Sequence, residues 1–306
     1  MALSTIGTNQ IASEAVTVPK VADQVLSNRN FVINGDFQCW QRATAATAAG
    51  VGTYNTADRW RFYENSSGAF TSERSTDTPI GTGYSLKLQV TTADTSMASG
   101  DYAYFTQPIE AQNLQSLQYG TSSAKTLTLS FWVKSSKTGI YAITLVKPDN
   151  TLYNYAVEYT ISNANTWEKK IITITPTAGS TSFITSAAGA IANDNGQGLW
   201  VVWMLASGSN LTGSTNNAWT SNALHYTTTN QVNWLDSTSN NFYLAQVQLE
   251  IGTSATPFEH EDFGTTLAKC QRYLYRLETE QSSGAFVSLT GWNTNDTYGP
   301  ILYPVE

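Results

Sequence analysis

The segment KTLTLSFWVK, residues 125–134, alternates apolar and polar side chains with a period of two. An extended strand with this pattern presents one apolar face, made here of Leu127, Leu129, Phe131 and Val133. Such alternation is typical of a half-buried β-strand. Trp132 falls in the opposite register, so we expect its ring to point away from the core. The ring is then either an exposed platform or is covered by a loop or a neighbouring subunit.

The same period recurs between residues 30 and 260, in GYSLKLQV (83–90), YAITLV (141–146) and FYLAQVQLEI (242–251). In the last run the pattern places the inward residues at Tyr243, Ala245, Val247, Leu249 and Ile251. GLWVVWML (198–205) is apolar on both faces, which predicts a strand covered on both sides. Stretches rich in Gly, Asn and Asp separate these runs and favour turns. Together they predict an all-β fold, an antiparallel jelly-roll β-sandwich.

The ends of the chain differ from this sandwich of residues 30–260. In residues 1–29, IASEAVT (11–17) and VADQVLS (21–27) align at a spacing of ten. This segment is either a flexible leader or an assembly segment that becomes ordered only against other subunits. Its apolar positions are Ile11, Val16, Val21, Val25 and Leu26.

The sequence pattern of residues 261–306 predicts one helix and the start of a small β unit. The helical spacing covers residues 263–278, with Thr265 or Thr266 as the cap. The abrupt stop at Glu306 suggests that the chain is truncated or that a distal region is missing.

Composition excludes several classes of function. Charged residues make up only 13% of the 306 residues, and the formal net charge is −7. A nucleic-acid-binding protein needs a basic face, so this class is disfavoured. No apolar run has membrane-spanning length, and the N-terminus lacks the pattern of a signal peptide. With only two cysteines, far apart at Cys39 and Cys270, we expect buried thiols in a protein folded in a reducing cytoplasm.

The sequence offers no convincing catalytic motif, and we expect the protein not to be an enzyme. The patterns of zinc proteases, serine hydrolases and P-loops are absent. Glycosidase carboxylates have no fixed spacing, so a pair such as Glu259 and Glu261 is not excluded by motif. We expect no cofactor. Asp36 and Glu250 are weak candidates for calcium binding.

Nine Trp and 16 Tyr are many for this length, and aromatic rings can stack on the C–H faces of sugars. The candidates for glycan contact are Trp132 and four aromatic residues in polar, loop-like stretches: Trp219, Tyr226, Trp234 and Trp292. Trp40, Trp60, Trp200 and Trp203 lie in strand-like runs and are expected in the core.

The stretch NFVINGDFQCWQR (30–42) is expected to enter the core through Phe31, Ile33 and Phe37. Asn34-Gly35-Asp36 then breaks the strand as a bulge or a turn. Arg42, Asp58 and Arg59 are expected to form a structural ion pair, with Trp40 and Trp60 beside them.

A series of motifs resembles a group of bacteriophage and prophage structural proteins related to jelly-roll carbohydrate-binding modules. In chain order the motifs are I-N-G-x-x-x-x-x-Q-R (33–42), T-x-D-R-W-R (56–61), Q-x-I-E-x-x-N-L (107–114), L-S-F-W-V-K-S-S (129–136), N-T-W-E-K-K (165–170), Q-L-E-x-G-x-x-A-T-P-F-E-x-x-x-F (248–263) and C-Q-R-Y (270–273). The leader also resembles, over a short length, the repeated segments of phage fibre stalks.

The resemblance implies a virion protein, folded in the host cytoplasm, and most simply a homotrimeric tail fibre. Its N-terminal segment would attach to other virion proteins of the tail or capsid, and its β-rich part would contact host cell-surface glycan. Two alternatives stay open. One is a head fibre or capsid decoration protein without receptor specificity, and the other is the carbohydrate-binding module of a cellular enzyme.

Overall fold

The computed structural model describes residues 28–48, 51–221 and 226–274, together with the backbone of the pairs 290–291 and 297–298. The assembly positions in the leader, Trp292, and the residues 275–278 that the sequence predicts as helical lie outside these ranges. The helix α1 spans Phe263–Gln271. The strands are β1 (Ala45–Ala48), β2 (Val51–Thr53), β3 (Arg61–Asn65), β4 (Ala69–Ser75), β5 (Ser85–Thr92), β6 (Tyr102–Glu110), β7 (Leu127–Ser135), β8 (Gly139–Lys147), β9 (Tyr153–Ile161), β10 (Glu168–Ile174), β11 (Gln197–Ser207), β12 (Ala218–Thr220), β13 (Asn241–Ile251), β14 (Thr290–Gly291) and β15 (Thr297–Tyr298).

Two antiparallel sheets enclose one main core. The six-stranded sheet has the order β1-β4-β5-β13-β7-β10, and the seven-stranded sheet has the order β12-β9-β8-β11-β6-β3-β2. The chain passes repeatedly from one sheet to the other, as between β5, β6, β7 and β8, whereas β2–β3, β4–β5 and β8–β9 pair within one sheet. This is the all-β jelly-roll sandwich that the alternating pattern predicts, and the prediction of fold class is confirmed.

The core between the sheets is rich in aromatic side chains. Phe131 on β7 and Trp203 on β11 face each other across the layers, with ring centroids 5.8 Å apart and planes at 82°. Phe105 on β6 stacks on Trp203 at 5.5 Å. The four apolar residues of β7 that the alternation places inward are all fully buried. Burial of such large rings is a main source of stability for the sandwich.

Strand β11 is buried on both of its faces, as its apolar sequence predicts. Val201 and Trp203 enter the main core, whereas Val202 and Met204 join a second cluster on the outer side of the sheet. That second cluster also contains Tyr104 and other aromatic residues of β3 and β6. The seven-stranded sheet is therefore covered on both sides along its centre.

A bulge in β13 overturns the predicted register of that strand. The pairing with β7 shifts between Ala245 and Gln248, and Gln246 has a φ of +49°. Before the bulge, Phe242 and Leu244 enter the core. After the bulge, Val247 and Leu249 enter the core, as predicted. Tyr243 was wrongly expected inward, because period two counted back across a bulge gives the opposite face. Ile251, the last residue of β13, was also expected inward but is exposed, although it is in phase with buried Leu249.

The Asn34-Gly35 step forms a turn that packs against this bulge. Asn34 has a φ of +58° and is buried, and its amide bonds the backbone of Cys39 and Asp58. The backbone N–H of Val247 donates to the Gly35 carbonyl at 2.9 Å. Val32, rather than the predicted Ile33, is the buried residue that enters the core here.

The first described residues are bonded to the segment after β13. The Glu259 carboxylate accepts hydrogen bonds from the backbone N–H of Arg29 at 3.0 Å and of Asn30 at 2.9 Å. The backbone N–H of Glu259 donates to the buried side chain of Gln248 at 2.7 Å. These contacts join the two ends of the sandwich and give the Q-L-E…T-P-F-E motif a structural role.

Helix α1 packs its C-terminal end on the sandwich. Asp262, not Thr265 or Thr266, caps its start by accepting from the backbone N–H of Thr265 at 3.0 Å. Cys270 near its end and Cys39 are both free and buried, as expected. No helix in the described ranges is long and apolar enough to cross a membrane.

Lys147 is a fully buried charged group at the end of β8. Its ammonium donates to the carbonyl oxygens of Asp149, of Ala188 at 3.4 Å and of Ala190 at 3.2 Å. Burial lowers the pKa of Lys147 from 10.5 to about 8, although the charge of Asp149 acts to raise it. Between these two values the unfolded chain binds more protons than the folded chain, so this group adds stability as the pH rises.

We therefore expect a pH-dependent difference between the wild type and Lys147→Met. Measured by chemical denaturation, the free energy of unfolding of the wild type relative to the variant should increase from pH 8 to pH 10.5 and stay level below pH 8. Lys125→Met removes an exposed lysine and is the control for loss of charge alone. If the stability of the wild type relative to Lys147→Met decreases over the same pH interval, burial does not lower the pKa of Lys147.

Candidate functional site

The outer face of the six-stranded sheet carries a row of half-buried side chains that ends at the buried Lys134. Register places Glu73 on β4 beside Lys87 on β5, Lys87 beside Tyr243 on β13, and Tyr243 beside Lys134 on β7. Glu73 and Lys87 form an ion pair at 3.3 Å. The β13 bulge is what turns Tyr243 outward, so a departure from regular pairing creates part of this surface.

Trp132 and Trp167 extend the row toward β10. Trp132 lies opposite Ala245 of β13 and Lys169 of β10, and Trp167 directly precedes β10. Trp132, Trp167 and Tyr243 are all half-buried, with part of each ring open to solvent. We call the surface formed by these three rings the aromatic face.

Two of these rings are held by a lysine between them. The centroids of Trp167 and Tyr243 lie 6.0 Å apart, with the ring planes at 68°. The ammonium of Lys134 lies 4.3 Å from the Tyr243 centroid and 5.2 Å from that of Trp167. Cation–π attraction at these distances holds the two rings in place.

Asp77 binds both Lys134 and Trp167. Its carboxylate pairs with Lys134 and accepts the indole N–H of Trp167 at 3.0 Å. Burial acts to raise the pKa of Asp77, but the hydrogen bonds from Lys134 and Trp167 together hold that pKa below its ordinary value of 3.8. The carboxylate therefore stays charged at neutral pH, and the orientation of Trp167 does not depend on pH in that range.

A small pocket adjoins the aromatic face. It has a volume of about 140 Å³ and is lined by the loop of residues 78–84, by Ala245 and Gln246 at the bulge, and by Asp36 and His260. Burial raises the pKa of Asp36, against the hydrogen bond from Gln38. Because Ala245 is also the cross-strand neighbour of Trp132, the pocket and the face share an edge.

The arrangement suits a flat, hydroxylated ligand. Half-exposed aromatic rings offer apolar area at low entropic cost, and fixed polar groups beside them provide hydrogen bonds that orient a ligand. Exposed Lys169 and half-buried Lys87 supply donors, and exposed Asp77 and half-buried Glu73 supply acceptors. Binding by contact and hydrogen bonding is the chemistry that this surface supports.

The structure separates the five aromatic residues proposed for glycan contact. Trp132 lies on the aromatic face. Trp219 and Trp234 are corrections, since both are almost fully buried in the main core despite their polar neighbours. Tyr226 lies on the outer side of the other sheet, 6.1 Å from the Tyr104 ring. Trp292 lies outside the described residues.

Two residues of the face escaped the sequence prediction. Trp167 was noticed only as part of the N-T-W-E-K-K motif, and Tyr243 was expected in the core. A signal for Tyr243 did exist, because Phe242 and Leu244 are apolar and out of phase with Val247. Two apolar registers within one strand indicate a bulge between them.

The residues expected to be structural surround the Asn34 turn. Arg42 and Asp58 form an ion pair at 3.1 Å. Arg59 makes no ion pair with them; its guanidinium donates to the carbonyl of Pro108 and stacks on Tyr273. Buried Trp60 and half-buried Trp40 bond this turn through their indole N–H groups, to Asn34 and Phe37 respectively.

The two calcium candidates are engaged differently. Both oxygens of Glu250 accept hydrogen bonds from Thr256, through its backbone N–H at 2.8 Å and its hydroxyl at 2.7 Å. Asp36 accepts from Gln38. Within the described part of the chain, no three His, Cys, Asp or Glu residues are grouped so that they could hold a metal ion. Glu259 and Glu261 are likewise bonded, to the backbone of residues 28–30 and to Lys269.

Fold and face together define a jelly-roll β-sandwich with an aromatic patch on one outer surface. Among solved structures, the chain is similar to the enzymatically active domain of tailspike protein 4 of bacteriophage CBA120, at 13% identity and a TM-score of 0.35. The similarity covers 73% of this chain but only 21% of the tailspike chain.

Two further structures are of sugar-binding proteins. A putative sugar binding protein from Bacteroides thetaiotaomicron is 10% identical with a TM-score of 0.39, over 73% of this chain and 100% of that chain. The family 11 carbohydrate-binding module from Clostridium thermocellum, solved with a mixed-linked tetrasaccharide, is 12% identical with a TM-score of 0.34, over 65% and 91%. No protein-family model and no curated protein matches the sequence. Similarities this distant carry no function over to the chain.

Proposed function

We propose that this chain is a carbohydrate-binding protein of a bacteriophage particle, and that its aromatic face contacts a saccharide of the host cell surface. The observation that carries the proposal is the set of three half-exposed rings, Trp132, Trp167 and Tyr243. Lys134 holds Trp167 and Tyr243 in place, and Asp77 accepts the indole N–H of Trp167. Preformed apolar platforms flanked by fixed polar groups bind ligands without a large loss of entropy.

A saccharide fits this surface better than an apolar ligand or a nucleic acid. The C–H face of a sugar ring can stack on an indole or phenol ring, while its hydroxyls bond lysine and carboxylate groups. An apolar ligand would cover the Lys134–Asp77 ion pair and offer it no hydrogen bonds in place of water, which is unfavourable. The net charge of −7 opposes association with phosphate backbones.

The virion part of the proposal rests on the ordered motifs between residues 33 and 273 and on the leader. We propose that residues 1–29 attach the chain to other virion proteins and that three copies assemble into a fibre. The carboxylates that could suggest glycosidase chemistry, Glu259 and Glu261, are bonded to neighbouring chain segments. This supports a role in binding rather than in catalysis.

The saccharide-binding part is tested by applying the purified full chain to an array of bacterial polysaccharides and oligosaccharides. We expect retention on at least one glycan, with competition by the same glycan in solution. Absence of binding across a broad array would contradict the proposed function of the face.

The virion part is tested separately, by light scattering and by binding to phage particles and host cells. A trimer that binds cells and blocks infection is the expected result. A trimer that binds the particle but neither cells nor glycans would favour a structural virion protein. A monomer that binds soluble polysaccharide would favour a module of a cellular enzyme.

A further inference from the structure

Arg59 lies between two cavities at the junction of the sandwich and helix α1. The first cavity, of about 220 Å³, is lined by Arg42, Tyr54, Asp58, Arg59, Cys270 and Tyr273. The second, of about 190 Å³, is also lined by Tyr54, Arg59 and Tyr273, together with Glu110 and residues 195–197. Both lie away from the aromatic face, on chain segments that the face does not use.

The guanidinium of Arg59 is buried and only partly bonded. The residue is 7% exposed, and its one hydrogen bond to the described residues runs from Nη2 to the Pro108 carbonyl at 2.7 Å. Its Nε is buried without a hydrogen-bond partner. Arginine carries five N–H donors and always a positive charge, so a buried guanidinium with a single acceptor is costly.

The carboxylates at this junction are already paired with other arginines. Asp58 pairs with Arg42 at 3.1 Å, and Glu110 pairs with Arg272 at 3.0 Å. Within the described part of the chain, Arg59 forms no ion pair of its own. The ion pairs among the described residues of this junction thus join Arg42 and Arg272 to the two carboxylates and leave Arg59 outside them.

Arg59 lines both cavities, and Tyr273 covers one face of its guanidinium. Its Cζ lies 3.4 Å from the centroid of the Tyr273 ring, so one face is stacked and the N–H donors lie around the edge. Arg59 also has a φ of +74°, a left-handed conformation that is strained for a non-glycine residue and that is concentrated at functional sites.

We infer that the Arg59 cavities form a binding site for a small molecule that bears a carboxylate group. The carboxylate pairs with the guanidinium of Arg59, and the body of the ligand lies against the rings of Tyr54 and Tyr273. An arginine fork and a carboxylate match in geometry, and such charge-assisted hydrogen bonds are among the strongest in proteins. The carboxylate can come from an acidic sugar or from a free organic acid, and the site is independent of the aromatic face.

The test is calorimetric titration of the full chain with glucuronate, acetate and neutral glucose. We expect a carboxylate to bind and glucose not to bind at the same concentration. Glucuronate binding more tightly than acetate would assign the site to acidic sugars, and equal affinity would assign it to organic acids. Failure of both carboxylates to bind at about 10 mM would overturn the inference.

Variants separate ligand binding from a merely structural role of Arg59. Arg59→Lys should weaken carboxylate binding about tenfold or more, because lysine cannot form the fork. If that variant does not fold, Tyr54→Ala at the half-buried wall of both cavities should still weaken binding. Arg74→Lys, an exposed arginine stacked on Tyr84, is the matched control and should bind as the wild type does. Unchanged affinity in folded Arg59→Lys and in Tyr54→Ala would refute the site.

Discussion

Replacement of Gly35 by alanine should lower the free energy of unfolding by about 3 kcal/mol, at the upper end of the cost of overpacking. A Cβ atom at this position would lie 2.2 Å from the carbonyl oxygen of Val247 and 3.2 Å from its carbonyl carbon. The obstacle is backbone, not the end of a flexible side chain. Val247 cannot retreat without loss of its 2.9 Å hydrogen bond to Gly35 and disturbance of the β13 bulge.

The measurement is equilibrium denaturation of the wild type and of two glycine variants. Gly100→Ala is the matched control, because a Cβ there meets nothing within 4 Å and the position carries no positive φ. We expect its stability to stay within about 0.5 kcal/mol of the wild type. Equal effects of the two substitutions would mean that the 34–37 turn does not pack on the bulge as described.

Removal of two rings of the aromatic face should abolish most saccharide binding while the chain stays folded. Trp132→Ala and Tyr243→Ala each remove a half-exposed platform, and truncation of an aromatic residue at the centre of a binding surface typically costs about 2 kcal/mol or more. We therefore expect at least about a tenfold loss of affinity for each variant and a larger loss for the double variant. The readout is retention on the glycan identified with the wild type.

Tyr226→Ala is the control for this prediction. Tyr226 is also a half-buried aromatic residue, but it lies on the outer side of the seven-stranded sheet. We expect its removal to leave the affinity for the saccharide unchanged. Loss of binding in Tyr226→Ala, with full binding in the double variant, would place the site on the other sheet.

Regular strands were predictable from the sequence because side-chain alternation reports burial directly. In β7 the residues Leu127, Leu129, Phe131 and Val133 enter the main core, as the pattern indicates. Trp132 in the opposite register is half-buried, although Thr128 and Ser130 of that register are buried as well. In β13 the same reasoning failed at Tyr243. A bulge inserts one residue into the strand. When a pattern of period two is continued across the bulge, it assigns the residues on one side of the bulge to the wrong face of the sheet.

Tryptophans with polar neighbours in sequence were the least predictable residues. Trp219 and Trp234 have polar neighbours in sequence, which reflects the needs of turns and not the position of the ring. Their indole N–H groups donate to the backbone carbonyls of Thr175 and Asn241, respectively. The rings can therefore be buried without leaving a donor that has no hydrogen bond. The aromatic face depends on which strands lie side by side, and a local sequence pattern does not contain that information.

Much of the motif series is explained by contacts that close the sandwich. Glu259 of the Q-L-E…T-P-F-E motif bonds the backbone near residue 30, and Glu110 of the Q-x-I-E motif pairs with Arg272 of C-Q-R-Y. Two motifs contribute instead to the aromatic face, through Trp132 and Trp167. The motif series therefore reports the architecture more than the ligand, and the proposed function depends on these two rings and Tyr243.

The central claim is that saccharide binds on the aromatic face, and indole N–H resonances test it most directly. With ¹⁵N-labelled tryptophan, titration of the bound glycan should shift the signals of Trp132 and Trp167 and leave those of buried Trp219 and Trp234 in place. Assignment by single Trp→Phe variants identifies each signal. Shifts confined to Trp200, on the opposite sheet, would contradict the account.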